Sequence, residues 1–315
     1  MGLLGWLFGQ EKKGKPDVLE RPKASEERTY EESGGESNEE SNEEFNEESG
    51  RGSDKGSSKE SGSRPAMPVF LAGNIQGIGD REQQEDSFAV FNVSDTGGQE
   101  TKGLLAVVAD GMGGMADGQE ASRCTVDTFS QRFRQWNGDT PVPEWLYTGA
   151  FEASRAVFSQ TGGRGGSTLT AVHLRGNQLY WLSVGDSAIY LMRNGGVFQL
   201  NREHTYLNQL YSRELEEPVI DRSRAELDED ARRLTSFVGI DDLKEVDFNL
   251  RPWTIKPGDV LLLCSDGISG ILSPPELMEA MSLEPHEGCA LLETMVLEKQ
   301  VPEQDNYTGV MIACR

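Results

Sequence analysis

Short runs of apolar residues recur between residues 68 and 315, with glycine- and asparagine-containing turns between many of them. Runs of this length are typical of buried β-strands. They predict strands at 70–77, 88–93, 104–109, 169–174, 178–184, 188–193, 197–200, 246–250, 260–264 and 307–313. The turns at 175–177 and 193–196 further predict that the middle strands form one antiparallel meander.

Apolar residues spaced three or four positions apart predict helices between these strands. The predicted helices cover 118–136, 142–160, 275–281 and 287–299. The polar segment 204–234 is expected to be helical in pieces, with an interruption at Pro218. Because the strands occur in batches with paired helices between them, we expect an α+β fold of antiparallel sheets covered by helices.

Residues 10–66 have the opposite character, since they are mostly Glu, Ser, Gly, Asn and Lys and contain the imperfect repeat SNEESNEEFNEES. Such a segment buries too little apolar surface to offset the loss of chain entropy on folding. We therefore expect a disordered acidic linker here. Residues 67–315 remain, and they are sufficient for one domain with a sizeable core.

The first nine residues, MGLLGWLFG, are strongly apolar and are followed by Lys12, Lys13 and Lys15. A signal peptide has its positive charges before the apolar stretch, so this interpretation is excluded. Trp6 also occupies the position where the myristoylation pattern requires Ser or Thr. Two interpretations stay open: a segment that docks on a membrane or a partner protein, or a disordered chain end.

The chain has 30 basic and 53 acidic side chains, a net charge of −23. Residues 1–66 account for 10 basic and 16 acidic side chains, so residues 67–315 carry 20 and 37. A domain this acidic is a poor ligand for nucleic acid or an anionic membrane. No apolar run approaches the roughly 20 residues that span a bilayer. We therefore expect a monomeric cytoplasmic protein that binds no nucleic acid, with its N-terminus as the one candidate for membrane association.

The four cysteines, Cys124, Cys264, Cys289 and Cys314, are widely spaced and include no C-x-x-C pair. This distribution indicates free thiols in a reducing compartment. The three histidines are too few and too scattered for a zinc site. The glycine-rich stretch 161–168 lacks the Gly-Lys-Ser/Thr ending of a nucleotide-binding loop, so we interpret it as a loop that enters a strand.

Four short acidic motifs follow one another along the chain, and three of them adjoin predicted strands. The motifs are Arg81-x-x-x-Glu85-Asp86, Asp110-Gly111-Met112-Gly113-Gly114, Ser265-Asp266-Gly267 and Asp305-Asn306. Strand ends are rigid and can direct several carboxylates at one point, but unpaired buried carboxylates cost several kcal/mol each unless cations neutralise them. The motifs therefore predict a divalent metal site, and the all-oxygen ligands favour Mg²⁺ or Mn²⁺.

Together with Gly166-Ser167-Thr168 and Val184-Gly185-Asp186-Ser187, these motifs resemble the metal-dependent protein phosphatases of the 2C type, in order and in spacing. The resemblance covers nearly all of residues 70–315 and is greater to the bacterial branch. It implies a central β-sandwich of two antiparallel sheets flanked by helical pairs, in α-β-β-α layers. It also implies two Mn²⁺ or Mg²⁺ ions at one edge, a possible third ion, and phosphoproteins as substrates.

The resemblance assigns the paired metal site residue by residue. Asp110 is expected to bridge both ions, and Glu85 and the Gly111 carbonyl complete one side. Asp266 and Asp305 are expected to hold the second ion. Two ions about 3.5 to 4 Å apart can activate a shared water for attack on phosphorus, so no protein nucleophile is required.

Three further residues receive roles by the same resemblance. Asp86 is expected to join the metal site through waters, and Asp186 to hold a third ion together with Asp266. Arg81 is expected to grip the substrate phosphate, for which a planar guanidinium provides two parallel donors. Residues 203–234 correspond to the flap that shapes substrate choice in the family, but their dense charge does not reveal a substrate.

The sequence departs from the family pattern at Met112 and Ala188. Met112 replaces a residue that can donate a proton, so the leaving-group oxygen must be protonated by a metal-bound water or another group. Ala188 replaces the arginine that usually follows Gly-Asp-Ser in the bacterial branch.

Three functions stay open at this point. The first is a phosphoserine/phosphothreonine phosphatase that opposes a bacterial Ser/Thr kinase. The second is a phosphatase of a small regulatory protein such as an anti-sigma antagonist. The third is a pseudophosphatase that only binds partners, which is disfavoured because every expected metal ligand is present.

Overall fold

The computed structural model describes residues 68–113 and 116–315. The predictions made for residues 1–9 and 10–66 lie outside this range. In chain order the strands are β1 Phe70–Gly77, β2 Ser87–Phe91, β3 Leu104–Ala109, β4 Gly111–Met112, β5 Gly166–Ser167, β6 Leu169–Arg175, β7 Gln178–Val184, β8 Ala188–Arg193, β9 Gly196–Gln199, β10 Asp247–Phe248, β11 Trp253–Thr254, β12 Val260–Cys264 and β13 Tyr307–Cys314. The helices are α1 Thr96–Thr101, α2 Ala116–Gln135, α3 Val142–Thr161, α4 Tyr206–Glu214, α5 Arg222–Glu226, α6 Asp266–Ser269, α7 Pro274–Met281 and α8 Pro285–Glu298.

Two antiparallel sheets form the centre of the domain. The first has the strand order β1-β13-β12-β8-β9, and the second has the order β10-β7-β6-β3-β2, with β11 also paired to β7. The helices α2 and α3 cover the second sheet, and α7 and α8 cover the first. The predicted α+β sandwich in α-β-β-α layers is therefore confirmed.

Strand β3 shows why this sequence forms layers. All six of its residues are buried. Leu104 and Val108 pack between the two sheets, against Leu261 and Leu263 of β12. The alternate residues, such as Val107, pack instead against α2 and α3. A strand that is covered on both faces consists of consecutive apolar residues. This is the pattern from which β3 was predicted.

The prediction that the middle strands, residues 169–200, form one meander is wrong. The hairpin of β6 and β7 belongs to the second sheet, whereas the hairpin of β8 and β9 belongs to the first. The chain passes between the sheets at residues 185–187, where Gly185 has a φ of +97° that glycine adopts without strain. The period of two along a strand is the same in either sheet, so it could not reveal this crossing.

Segment 204–234 is helical in pieces, as predicted, since it contains α4 and α5. The short elements α1, α6 and β11 were not predicted. Cys264, Cys289 and Cys314 are buried and Cys124 is half-buried, and all four are free thiols. In the ranges that the structure describes, no helix combines the length and the apolar character needed to cross a membrane.

Candidate active site

A cavity of about 300 Å³ collects the predicted site residues from five separate parts of the chain. Its lining includes seven of the eight, namely Arg81, Glu85, Asp110, Gly111, Asp186, Asp266 and Asp305. The eighth, Asp86, is 4% exposed, and its charge acts on Asp110. The structure therefore brings the whole predicted set together.

Strand pairing explains why these residues meet. Asp110 follows β3, whose last residue Ala109 is paired with Ser87, directly after Asp86. Asp266 follows β12, whose last residue pairs with the beginning of β13, close to Asp305. Strands β6 and β7 bring Asp186 to the same edge, because Val184 pairs with Leu169 at the start of β6. Antiparallel neighbours thus place alternate strand ends at one edge of the sandwich.

The Arg81 to Asp86 loop is held by the side chain of Asn306. Its Oδ1 accepts the backbone N–H of Glu85 at 2.7 Å, and its Nδ2 donates to the carbonyls of Ile78 and Gln83 at 2.8 and 3.1 Å. The N–H of Gly111 donates to the Glu85 carbonyl at 3.1 Å. These bonds fix the first, second and fourth motifs relative to one another.

Thr168 and Ser187 fix Asp110. The backbone N–H of Asp110 donates to Thr168 Oγ1 at 2.9 Å, and the N–H of Thr168 donates to the Asp110 carbonyl at 2.8 Å. The Thr168 hydroxyl also lies 2.7 Å from that of Ser187, the neighbour of Asp186. A network of buried, satisfied hydroxyls is rigid, so it holds both carboxylate-bearing turns in place.

Asp86 lies behind the cavity and is only partly satisfied. Ser265 Oγ donates to Asp86 Oδ2 at 2.8 Å and accepts the N–H of Thr308 at 3.0 Å. Asp86 Oδ1 is buried and has no hydrogen-bond partner. An unpartnered carboxylate oxygen in a protein interior is costly, and a cation or its bound water is the usual partner that relieves this cost.

Two glycines in the motifs are required by packing. A Cβ on Gly267 would lie 2.0 Å from the carbonyl oxygen of Asn306. A Cβ on Gly111 would lie 2.2 Å from the carbonyl oxygen of Gly118 and 2.6 Å from that of Glu85. The glycine that follows each aspartate therefore permits the close backbone contact on which the site is built.

The clustered carboxyl groups hold their protons more strongly than usual. Burial raises the pKa of Asp110 well above its ordinary value, and repulsion from Asp86, Asp266 and Asp186 adds to this rise. Burial also raises the pKa of Asp86 to about 6 and that of Asp186 to about 7. The pKa of Asp266 is raised by burial and by Asp305. Each group is thus unfavourable as an anion unless positive charge is supplied.

Two arginines, which are distant from each other in the sequence, lie at or beside this cluster of carboxyl groups. Arg81 Nη2 donates to Asp305 Oδ2 at 2.7 Å, and both side chains are about half exposed. Arg232 lies on a groove next to the cavity, and its charge lowers the pKa of both Asp186 and Asp266. Two arginines cannot neutralise this number of carboxylates.

The residues fit the implied Mg²⁺ or Mn²⁺ ions in their chemistry. The donors are all oxygen, the carboxyl groups repel one another, and Asp86 Oδ1 lacks a partner. Within residues 68–113 and 116–315, no three Asp, Glu, His or Cys side chains already form a complete ligand group. Asp305 is instead paired with Arg81.

His204 was not predicted to have a role, but it supports the Asp186 turn. Its Nδ1 accepts the N–H of Gly185 at 3.1 Å, and its own backbone N–H donates to the Gly185 carbonyl at 2.9 Å. Burial lowers the pKa of His204, which favours the neutral ring that can accept this bond. Thr168, Ser187 and Ser265 were not predicted to support the site either, although all three lie inside the motifs.

Comparison with known proteins shows similarity to protein phosphatases. The sequence model of the protein phosphatase 2C family matches residues 78–295. The serine/threonine phosphatase stp of Listeria innocua is 29% identical over 209 residues, which cover 64% of this chain and 78% of stp. The serine/threonine protein phosphatase PstP of Mycobacterium tuberculosis is 30% identical over 217 residues, which cover 66% of this chain and 40% of PstP.

Solved structures are similar over the same part of the chain. PppA, a regulatory component of T6SS in Pseudomonas aeruginosa, has a TM-score of 0.63 at 28% identity and covers 79% of this chain and 99% of its own. The catalytic domain of PstP in complex with two manganese ions has a TM-score of 0.62 at 26% identity. That comparison covers 78% of this chain and 99% of the PstP domain.

Because the family match spans more than half of the chain, this protein belongs to the protein phosphatase 2C family. It is therefore an enzyme of the class of metal-dependent protein serine/threonine phosphatases.

Proposed function

We propose that this protein removes phosphate from phosphoserine and phosphothreonine residues of proteins and thereby opposes a bacterial Ser/Thr kinase. The observation that supports this most strongly is the cavity in which all the acidic motifs meet beside one arginine. The named relatives are serine/threonine phosphatases, which is consistent with the same substrate class here.

We propose that Asp110, Glu85, the Gly111 carbonyl, Asp266 and Asp305 hold two Mg²⁺ or Mn²⁺ ions, with Asp86 in contact through water. When bound, these ions would supply positive charge and activate a water molecule for attack on phosphorus. The chain's own residues keep the carboxylates at fixed positions through Thr168, Ser187, Ser265 and Asn306. A site that is positioned in advance needs little reorganisation during the reaction.

Arg81 has the geometry of a phosphate-binding residue. The Arg81 guanidinium lies at the cavity, and roughly half of the side chain is exposed. Arg81 can therefore release Asp305 and bind a phosphate instead. A guanidinium can donate two parallel hydrogen bonds to phosphate oxygens, whereas an exposed ion pair with a carboxylate contributes little stability. We propose that Arg81 leaves Asp305 when substrate binds and then donates its hydrogen bonds to the substrate phosphate.

The test is hydrolysis of p-nitrophenyl phosphate and of a phosphothreonine peptide by the full-length protein with Mn²⁺. Asp110→Asn is expected to lower turnover at least 100-fold, which corresponds to about 2.7 kcal/mol or more of transition-state stabilisation. The reason is that a neutral amide would supply no negative charge to hold the metal ions.

Asp242→Asn is the matched control, because Asp242 is largely exposed and does not line the cavity. This control is expected to have the wild-type rate. Near wild-type turnover of Asp110→Asn would refute the proposed role of Asp110 in holding the ions. No hydrolysis by the wild type under any metal condition would refute the enzymatic function.

A further inference from the structure

A second, larger cavity adjoins the active site and shares Asp186, Asp266 and Asp305 with it. We call it the flanking groove. One wall belongs to the flap and includes Leu207 and Arg232. The opposite wall is formed by α6 and the residues after it, and by the loop between α8 and β13.

The volumes of the two cavities indicate different uses. The active-site cavity of about 300 Å³ is at the lower end of the range for small-ligand sites, about 300 to 1,000 Å³, and metal ions would take part of this space. The flanking groove has about 720 Å³, more than twice as much. The phosphorylated side chain therefore fits the cavity, and the groove is large enough for several neighbouring atoms of the peptide.

The groove has aliphatic side chains on both walls. Leu207 and Ala231 lie on the flap side, and Ile271 and Val301 lie on the other side. Leu207 and Ile271 are half-buried, and Val301 is 38% exposed. A phosphate needs none of these residues, but an aliphatic side chain inserted between the walls would remove apolar surface from water on both sides.

Two of the charged side chains that line the groove are held by neighbouring groups. Lys299 Nζ bonds to Glu276 at 2.6 Å, and Glu203 accepts a hydrogen bond from Gln199 at 2.9 Å. Arg232 and Glu303 also line the groove, and both are exposed and form no ion pair with another described residue. These two charges can act on a charged flanking residue, whereas the aliphatic walls are the feature of the groove that can favour an apolar one.

We propose that the flanking groove binds the peptide segment next to the phosphorylated residue and selects an aliphatic side chain there. The proposal rests on the proposed phosphatase function and narrows it to phosphoproteins with a leucine-like residue near the phosphorylation site. Leu207 and Val301 act as specificity-determining residues, one on each wall.

The test uses the full-length protein and a set of phosphoserine peptides that differ at one position at a time, from two residues before to two residues after the phosphoserine. Each position carries Leu, Ala or Asn, since Asn has nearly the shape of Leu but is polar. We expect one position at which kcat/KM for Leu exceeds that for Ala and Asn by about tenfold, the lower limit for small differences in an apolar pocket.

Leu207→Asn and Val301→Asn test the two walls separately, so that one variant remains informative if the other is unstable. Each is expected to reduce the preference for Leu to less than threefold. Leu250→Asn is the control, because Leu250 is 73% exposed and does not line the groove. This control is expected to keep the full preference.

The outcomes separate this inference from the proposed function. If the wild type hydrolyses the peptides without preferring Leu at any position, the groove proposal is overturned and the phosphatase function stands. A preference that survives in both groove variants also overturns it. If the wild type hydrolyses neither peptides nor p-nitrophenyl phosphate, both proposals fail.

Discussion

At the level of single residues, the acidic groups of the site are supported mainly by neutral partners. Ser265 binds Asp86, Thr168 binds the backbone of Asp110, and Asn306 binds the backbone of Glu85. Neutral hydroxyl and amide groups fix positions without cancelling charge. The site therefore keeps most of its negative charge available for metal ions, at the cost of raised pKa values in the metal-free protein.

Arg81→Ala is expected to raise KM at least tenfold with a smaller effect on kcat, because the guanidinium mainly binds the phosphate. Arg81→Lys should recover part of the loss, since it keeps the charge but lacks the planar pair of donors. Steady-state kinetics with a phosphopeptide measure both effects. Unchanged kcat/KM in Arg81→Ala would mean that this residue only pairs with Asp305 at the surface.

Asp186→Ala is expected to leave tight binding of two metal ions intact and to slow turnover. Asp186 belongs to the turn after β7, and Met112 offers no proton. Water held by a third ion at Asp186 would supply the proton for the leaving group. Calorimetric metal titration, compared with initial rates over the same metal range, tests this. If the rate saturates together with the two tight ions, and the variant equals the wild type, the third ion has no catalytic role.

At the level of secondary structure, the turn between β7 and β8 links the two sheets, the flap and the active site. Gly185 changes the chain direction there, and His204 at the base of the flap binds its backbone in both directions. Flap and metal site are therefore mechanically joined at one turn.

Replacing His204 by Ala would leave the buried Gly185 N–H without an acceptor. We expect a loss of about 1 to 3 kcal/mol in the free energy of unfolding, together with a higher metal concentration for half-maximal rate. His204→Asn should restore part of both, because its Oδ1 can accept the bond. His286→Asn, at an exposed position, is the control. Urea denaturation and metal titration give the two readouts; wild-type values for His204→Ala would contradict the link.

At the level of the whole molecule, metal binding and folding should be coupled. Metal at 100 times its dissociation constant stabilises the folded protein by about 2.7 kcal/mol. We therefore expect EDTA to abolish turnover and to lower the melting temperature. If EDTA changed neither turnover nor the melting temperature, the prediction of a metal site would be wrong.

The raised pKa values add a pH dependence to the metal-free protein. The pKa of Asp186 rises from its usual 3.8 to about 7, and that of Asp86 to about 6. Their protons favour the folded state fully below pH 3.8, and this stabilisation is lost as the pH rises to about 7. EDTA-treated protein should therefore be less stable at pH 7.5 than at pH 5, and Asp186→Asn should reduce the difference. Urea denaturation at both pH values tests this; equal stability would contradict it.

The sequence alone determined most elements and the chemistry of the site. Strands β3, β7, β8 and β12 were predicted at their observed bounds. A buried strand requires several consecutive apolar residues, and such a run is visible in the sequence. The acidic motifs were recognisable because a metal site needs particular side chains at strand ends. Both signals are local, and they survive without knowledge of the fold.

Only the tertiary structure decided how these pieces combine. Which sheet receives β8, which neutral side chain holds each carboxylate, and the Arg81–Asp305 pair all depend on residues far apart in the chain, 224 positions in the case of that pair. The flanking groove likewise exists only between the flap and a distant loop. Contacts of this kind are set by packing in three dimensions, and packing leaves no periodic signal along the sequence.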